Sequence, residues 1–499
     1  MSGVLRIPEP PAATLPGELG FTLASSTRVR DGGRTLLAGE RVLRLSATAL
    51  DLVRGPGPVA GGDANAARLT RLLLDAGAAD PWWPDPPPPD PAVDDVTVVV
   101  PVRDRPEALA RLLRGLPPHL PVVVVDDGSS DSAATARACA ATGARLLRHP
   151  ESRGPAAARN TGLAAVETPY VAFCDSDVEP VPGWLGVLRR HLDDPVLAVV
   201  APRVHGRAPG AGDGWLDRYE QARSSLDLGP TPAAVRVRGR VAYLPSACLL
   251  ARVAALGDGF DPALRSGEDV DLVWRLLAAG WRVRYDPAAR VRHDHRTTLG
   301  PWLARKAFYG SSAAPLSARH PGAVAPLVVS PWSAALTVAV LAQRRWSAPV
   351  AAAVAGAAVV VVRRRLATGA TGPHPWRTAG VLVGHGAAAS LRQAGTALTR
   401  HHWPLAALAC LVSGRARRAV LVAAVADAWL DHRKVRPRLG LPPYLLTRRL
   451  DDLAYGAGLW RGAWRERSVR ALLPGVSRST AARLGRRGYR DPRHVDSLR

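Results

Sequence analysis

"VTVVVPVRDRPEALARLLRGLPPHLPVVVVDDGSSD", residues 96–131, holds two β-branched runs with a helix-patterned stretch between them. Neither run alternates polar with apolar residues, so both faces of each strand are expected to be buried, as in a parallel sheet. Pro106 suits the first turn of a helix, and Leu109, Leu112, Leu113 and Leu116 follow at the helical period. "YVAFCDSDVEP", residues 170–180, repeats the ending, an apolar run that stops on carboxylates. The alternation predicts an α/β domain with a mainly parallel sheet over 96–320. Ligands of open α/β sheets bind beyond the carboxyl ends of the strands. Asp104, Asp126, Asp127, Asp175 and Asp177 are therefore expected to converge on one crevice.

Outward from this domain the texture changes on both sides. Residues 1–80 read as a small α+β module: Asp31-Gly32-Gly33 is a hairpin signal, Ser46 precedes a short helix pattern, and a second helix runs up to Gly77. Residues 81–95, "PWWPDPPPPDPAVDD", read as a polyproline spacer. Residues 321–435 are rich in alanine and apolar runs, and 436–499 form a basic tail. The run 324–342 has 19 uncharged residues, long enough to cross a bilayer, and 347–362 has a marginal 16. Arg344 and Arg345 between them argue against a simple two-span hairpin. A hairpin, in-plane helices and soluble alanine-rich helices all fit the pattern. Residues 1–300 carry 35 Lys+Arg and 35 Asp+Glu, whereas 301–499 carry 31 and 7, so the excess of +24 lies entirely in the C-terminal part. An anionic membrane surface is the partner this asymmetry favours over nucleic acid. The four scattered cysteines suggest reduced thiols, and the first 20 residues lack the apolar segment of a signal peptide. Together these predict the cytoplasmic side of the membrane.

Asp175-Ser176-Asp177 is either a clamp for Mn²⁺ or Mg²⁺ or an acidic turn that stops a strand. Arg153 and Arg159 flank the helix start at Gly154-Pro155, where a guanidinium and free amides suit a phosphate or base. Glu268 and Asp269 follow Gly267 at the start of another helix; they are dipole complements, or Asp269 is a general base facing an acceptor hydroxyl. His293 or His295 offers a further metal ligand, and His293, at a strand end, is the better placed.

In this order, "VVVPVRD", "VVVDDGSSD", "RGPAAARNTG", "FCDSDVEP" and "GEDVDLVWRLLAAGW" resemble the family 2 glycosyltransferases of GT-A fold. The resemblance implies a UDP-sugar donor and a divalent metal. It places Pro101, Val102, Asp104 and Asp127 at the nucleotide base, with Asp126 and Arg159 nearby, and gives Asp175 to the ribose or diphosphate. It makes Asp177 the metal ligand, joined by Asp175 and His293, Asp269 the base with Glu268 beside it, and Arg275 and Trp274 part of the acceptor site. Residues 1–80 resemble the PqqD-like modules that bind leader peptides, a winged-helix-like arrangement. "ARKAFYGSSAAPLSARHPG" and "RRLDDLAYGAGLWRGAW" resemble the glycosyltransferases of the mycofactocin system. Those enzymes extend a peptide-derived redox cofactor with glucose. A lipid-linked or cell-wall glycan acceptor is the alternative. A sugar nucleotidyltransferase is disfavoured, because no Gly-rich phosphate loop follows "VVVPV" and the N-terminal half contains no lysine.

Overall fold

The computed structural model describes residues 5–12, 14–39, 41–54, 64–207, 214–295, 298–367 and 375–476. Asp31 and Gly32 take positive φ (54° and 63°) and turn the chain back on itself. β1 (Gly20–Leu23) precedes this turn, β2 (Arg28–Arg30) and β3 (Thr35–Ala38) flank it, and β4 (Arg41–Arg44) pairs with β3. The Ser46 hydroxyl accepts from the Ala49 amide at 3.2 Å and starts α1 (Ala47–Arg54). α2 (Ala64–Ala76) ends at Gly77, and β5 (Ala79–Trp82) returns to pair antiparallel with β1. Leu69, Leu73 and Leu74 of α2 pack with Phe21 and Leu36 to form the module's own core.

The proline-rich stretch is lashed to the larger domain rather than spanning a gap. The Asp90 carboxylate accepts from the amides of Gly183, Leu185 and Gly186 at 2.7, 2.9 and 3.0 Å, capping a helix in the next domain. Arg71–Asp194 (2.8 Å) and the pairs Arg282–Asp75 and Arg284–Asp80 hold the module against the sheet domain.

Three successive units follow: β6 (Val96–Val102), α3 (Pro106–Gly115), β7 (Val122–Asp127), α4 (Ser132–Ala140), β8 (Arg145–His149), α5 (Pro155–Leu163) and β9 (Tyr170–Cys174). They lie parallel in the order β8-β7-β6-β9. Val98 and Val100 face the layer holding Leu109 and Leu112, while Val99 faces Ala158 on the opposite side. That two-sided burial is why the valine run does not alternate. The chain continues through β10 (Val178–Pro180), α6 (Trp184–Arg189), β11 (Leu197–Gly206), α7 (Trp215–Arg223), β12 (Ala233–Ala234), β13 (Cys248–Arg252) and α8 (Val253–Leu256). α9 (Glu268–Ala278) and β14 (Arg282–His293) complete it. Among the described residues the sheet has nine strands in the order β10-β14-β11-β13-β9-β6-β7-β8, with β12 on β14.

Beyond it run α10 (Leu299–Ser311), α11 (Ala313–Arg319), β15 (Val328–Val329), α12 (Pro331–Ala342), α13 (Ser347–Ala367) and α14 (Pro375–Thr396). α15 (Trp403–Val412), α16 (Gly414–Val435), α17 (Leu441–Arg465) and β16 (Gly475–Val476) close the described chain; residues 477–499 of the basic tail lie outside it. The two apolar runs exchange the roles expected of them. Val328 and Val329 pair with β16, and Pro331 starts a helix of only 12 residues, about 18 Å long and too short to span a bilayer. α13 instead extends to 21 residues, and its stretch Ser347–Arg364 is the one described helix long and apolar enough to cross.

α10 and α17 approach until their backbones touch. A Cβ on Gly310 would overlap the Tyr455 carbonyl, and one on Gly458 would overlap the Ala307 carbonyl. Gly458→Val is therefore expected to cost about 1–3 kcal/mol or more by forcing the helices apart, read as a lowered melting temperature.

Candidate active site

The carboxyl ends of β6, β9 and β14 and the start of α9 open onto a cleft of about 1410 Å³. Pro101, Val102, Asp127, Arg159, Asp175 and Asp177 line one side. Glu268, Asp269, Trp274 and His293 line it as well. Three expected residues do not. Asp126 is fully buried and accepts from the Ser129 amide at 2.8 Å, so its carboxylate holds the turn after β7. Asp104 has φ 54° and its carboxylate accepts from the Ser130 amide (2.8 Å) and hydroxyl (2.6 Å). Arg275 donates to Asp271 and to the Gly259 carbonyl, both at 2.7 Å, which braces α9 from behind.

Asp127 reaches the cleft with its acceptors already filled. His149, Ser152 and the amides of Arg153 and Gly154 all donate to it, at 2.8 to 2.9 Å. Although burial opposes the charge, these bonds hold its carboxyl below the usual range. Its role here is to shape the loop that opens α5.

Arg159, buried on α5, joins two distant segments. It donates to Asp175 after β9 at 2.7 Å and to Glu268 at the start of α9 at 2.9 Å. Asp269, next along, is recessed in the cleft wall and accepts from the amides of Ser246 (3.1 Å) and Val270 (2.8 Å). Burial, reinforced by neighbouring Glu268, pushes its carboxyl up to about 7. A carboxylate poised near neutrality at a cleft wall suits proton abstraction.

Asp177 and His293 face each other across β10 and β14, with Asp177 Oδ1 at 3.5 Å from His293 Nε2. Arg105 pairs with the other Asp177 oxygen. The His293 Nδ1 is buried and without a hydrogen-bond partner among the described residues. One carboxylate and one imidazole fit a divalent ion that takes its other ligands from phosphate and water, the usual habit of Mg²⁺ and Mn²⁺. No group of three or more His, Cys, Asp or Glu side chains placed to hold a metal occurs among the described residues. His295 lies deeper, its ring nitrogen 4.0 Å from Glu220.

Sequence reasoning missed the part of the cleft that the C-terminal helices build. Tyr243, Lys306, Tyr309, Arg400, Asp451 and Tyr455 line it, most of them from α10 and the helices beyond. The signal was the scarcity of acids in a basic region: Asp427, Asp431, Asp451 and Asp452 are all buried beside cations.

Comparison with known proteins identifies the family. The "Glycosyl transferase family 2" profile matches residues 97–257. The pre-mycofactocin glycosyltransferase of Mycobacterium tuberculosis (strain ATCC 25618 / H37Rv) is 44% identical over 487 residues, covering 93% of this chain and 99% of that protein. The succinoglycan biosynthesis protein ExoU of Rhizobium meliloti is 32% identical over 205 residues, 39% of this chain and 60% of that protein. Among solved structures, a mannosyltransferase from Pyrobaculum calidifontis in complex with GDP-Man and Mn²⁺ aligns with a TM-score of 0.34 at 19% identity, covering 69% of this chain and 91% of that one. A family profile over the sheet's strands, and a relative matched along nearly its whole length, lead to one conclusion: the chain belongs to the family 2 glycosyltransferases, together with the pre-mycofactocin glycosyltransferase it resembles.

Proposed function

We propose that the chain transfers glucose from UDP-glucose, with inversion, to a hydroxyl of a peptide-derived mycofactocin precursor and builds an oligoglucoside on it. The observation that carries this reading is the match to a relative named for that acceptor, over 99% of that relative's length. Asp269 takes the proton of the acceptor hydroxyl as its oxygen attacks the anomeric carbon, and the bond to the diphosphate breaks on the opposite face. The Ser246 and Val270 amides fix the carboxylate for that task. Pro101, Val102 and the Asp127 loop receive the base, and Arg159 holds Asp175 towards the ribose. Asp177 and His293 would hold Mn²⁺ or Mg²⁺, which when bound offsets the charge on the departing diphosphate. The N-terminal module is read as the PqqD-like element that recruits the precursor's leader peptide.

Incubation of the full chain with UDP-[14C]glucose and the precursor should put label into the peptide-derived product. Label only in a lipid-linked or cell-wall glycan would overturn that acceptor in favour of the second reading, which the exposed apolar helices support.

Membrane association belongs to the same proposal. Leu408, Leu411 and Val412 at the end of α15 are 62%, 75% and 88% exposed, and Arg417 and Arg418, both exposed, follow at the start of α16. Gln343 bonds the Arg415 carbonyl (2.8 Å) and the Arg418 guanidinium (3.0 Å), which brings exposed Arg344 and Arg345 to the same end. An apolar tip ringed by arginines suits an anionic cytoplasmic leaflet. The full chain is expected to float with phosphatidylglycerol vesicles, and Leu411→Asp with Val412→Asp should lower the bound fraction about tenfold or more, the loss of two inserted side chains.

A further inference from the structure

The part of the cleft built largely by the C-terminal helices has a composition of its own. Tyr243, Tyr309 and Tyr455 line the cleft half-buried, and none of their hydroxyls is hydrogen-bonded among the described residues. Tyr309 stands on α10 and Tyr455 on α17, the two helices whose glycines bring their backbones into contact. Burial raises the Tyr243 hydroxyl above its ordinary range, and Asp269, Tyr455 and Tyr309 add to the effect, so the three rings share one region with the base. Tyr309, Arg400 and Tyr455 all lie beyond residues 97–257 and are not prescribed by the family profile.

Three of the cations around these rings are spoken for, whereas Arg305, 5.5 Å from the centre of the Tyr309 ring, has no carboxylate partner among the described residues. Arg400 bonds Asp451 (3.0 Å) and Asp452 (2.8 Å), and its guanidinium lies 3.9 Å from the centre of the Tyr455 ring. Lys306 is buried between Glu220 (2.8 Å) and Asp451 (3.2 Å). Arg448 is matched by Asp427 at 2.7 Å and Asp431 at 3.3 Å. A polyphosphate head group would find Arg305 beside the rings, but any further cation of this network only by breaking these pairs, at the cost of a buried unpaired carboxylate. A neutral ring can lie on the tyrosines and leave the network intact, with its edge hydroxyls bonded by theirs.

We infer that α10 and α17 build an acceptor subsite in which the rings of Tyr243, Tyr309 and Tyr455 take the flat face of an uncharged, hydroxyl-bearing ring and present it to Asp269. This rests on the glycosyltransferase reading and narrows it to one acceptor chemistry. Such a ring has two sources, the aromatic ring of a first acceptor and the pyranose at the end of a growing glucoside. The C-terminal helices are then part of the reaction site and not only a membrane anchor.

Saturation-transfer NMR on the full chain with UDP tests it, using N-acetyltyrosinamide as the phenolic probe, methyl β-D-glucopyranoside as the pyranose probe and geranyl phosphate as the anionic one. Saturation of the phenol assigns the first acceptor, and saturation of the pyranose assigns the growing chain. Tyr455→Ala should weaken the neutral probe about three- to tenfold, Tyr455→Phe should retain the stacking, and Tyr309→Ala, on the other helix, gives an independent reading. UDP affinity should stay unchanged in all three. Refusal of both neutral probes while UDP binds, preference for geranyl phosphate, or unaltered binding in both alanine variants overturns the subsite. Failure of the wild-type chain to bind UDP overturns the donor reading beneath it.

Discussion

Asp269→Asn is expected to lower sugar transfer by about 10²–10⁴-fold, the usual contribution of a positioned general base, while UDP binding stays unchanged. Asparagine keeps the size of the side chain and one oxygen to accept from Ser246 or Val270, but it cannot take a proton. The wild-type enzyme carries a second signature. Because burial and Glu268 push the Asp269 carboxyl up to about 7, the active deprotonated form accumulates only as the pH rises through that value. The kcat/KM of the wild type should climb across this window, and the asparagine variant should lose that limb of the profile. Steady-state transfer from pH 5 to 9 checks both. A variant with near-normal turnover and the same pH limb would move the proton transfer to another group.

Asp177→Ala should leave the fold nearly intact and remove most metal-stimulated turnover, about 10²–10³-fold for several kcal/mol of lost charge stabilisation. Its side chain sits at the cleft edge, and its backbone carbonyl keeps the bond from the Asp294 amide (3.2 Å) whatever the side chain. Arg105, released from its carboxylate, faces the cleft and not the core. Thermal unfolding and a Mn²⁺ titration of the transfer rate, run side by side, separate a lost ligand from a lost fold. Full activity in the alanine variant would return Asp175-Ser176-Asp177 to being an acidic turn.

The strand-end half of the cleft was legible because its physics is local. Parallel strands buried on both faces have to read as valine runs, and each run ends where the sheet presents its carboxyl edge, so Asp127, Asp175 and Asp177 announce themselves. Asp269 did so by following a glycine that starts a helix with positive φ (82°). Side-chain direction was not legible. Asp126 and Asp104 occupy strand ends as expected, yet Ser129 and Ser130 capture them through turn geometry. Arg275 is on the correct helix, but it bonds Asp271 one turn back. The part of the cleft built by the C-terminal helices was beyond reach for another reason: it depends on α10 meeting α17 some 150 positions later, through close glycine contacts that leave no apolar period to read. The two apolar runs show the same limit. Hydropathy counted uncharged residues, whereas the pairing of Val328–Val329 with a strand near residue 475 decided where the helix could begin.

The central claim, a single displacement driven by one base, is tested most directly by the anomeric configuration of the first product. UDP-glucose carries its sugar in the α configuration, and ¹H NMR of the freshly formed glucoside reports the configuration of the new bond. Attack by a hydroxyl deprotonated at Asp269 gives a β-linked glucoside. An α-linked glucoside would require either a second displacement or attack on the face the diphosphate leaves, and would contradict the account.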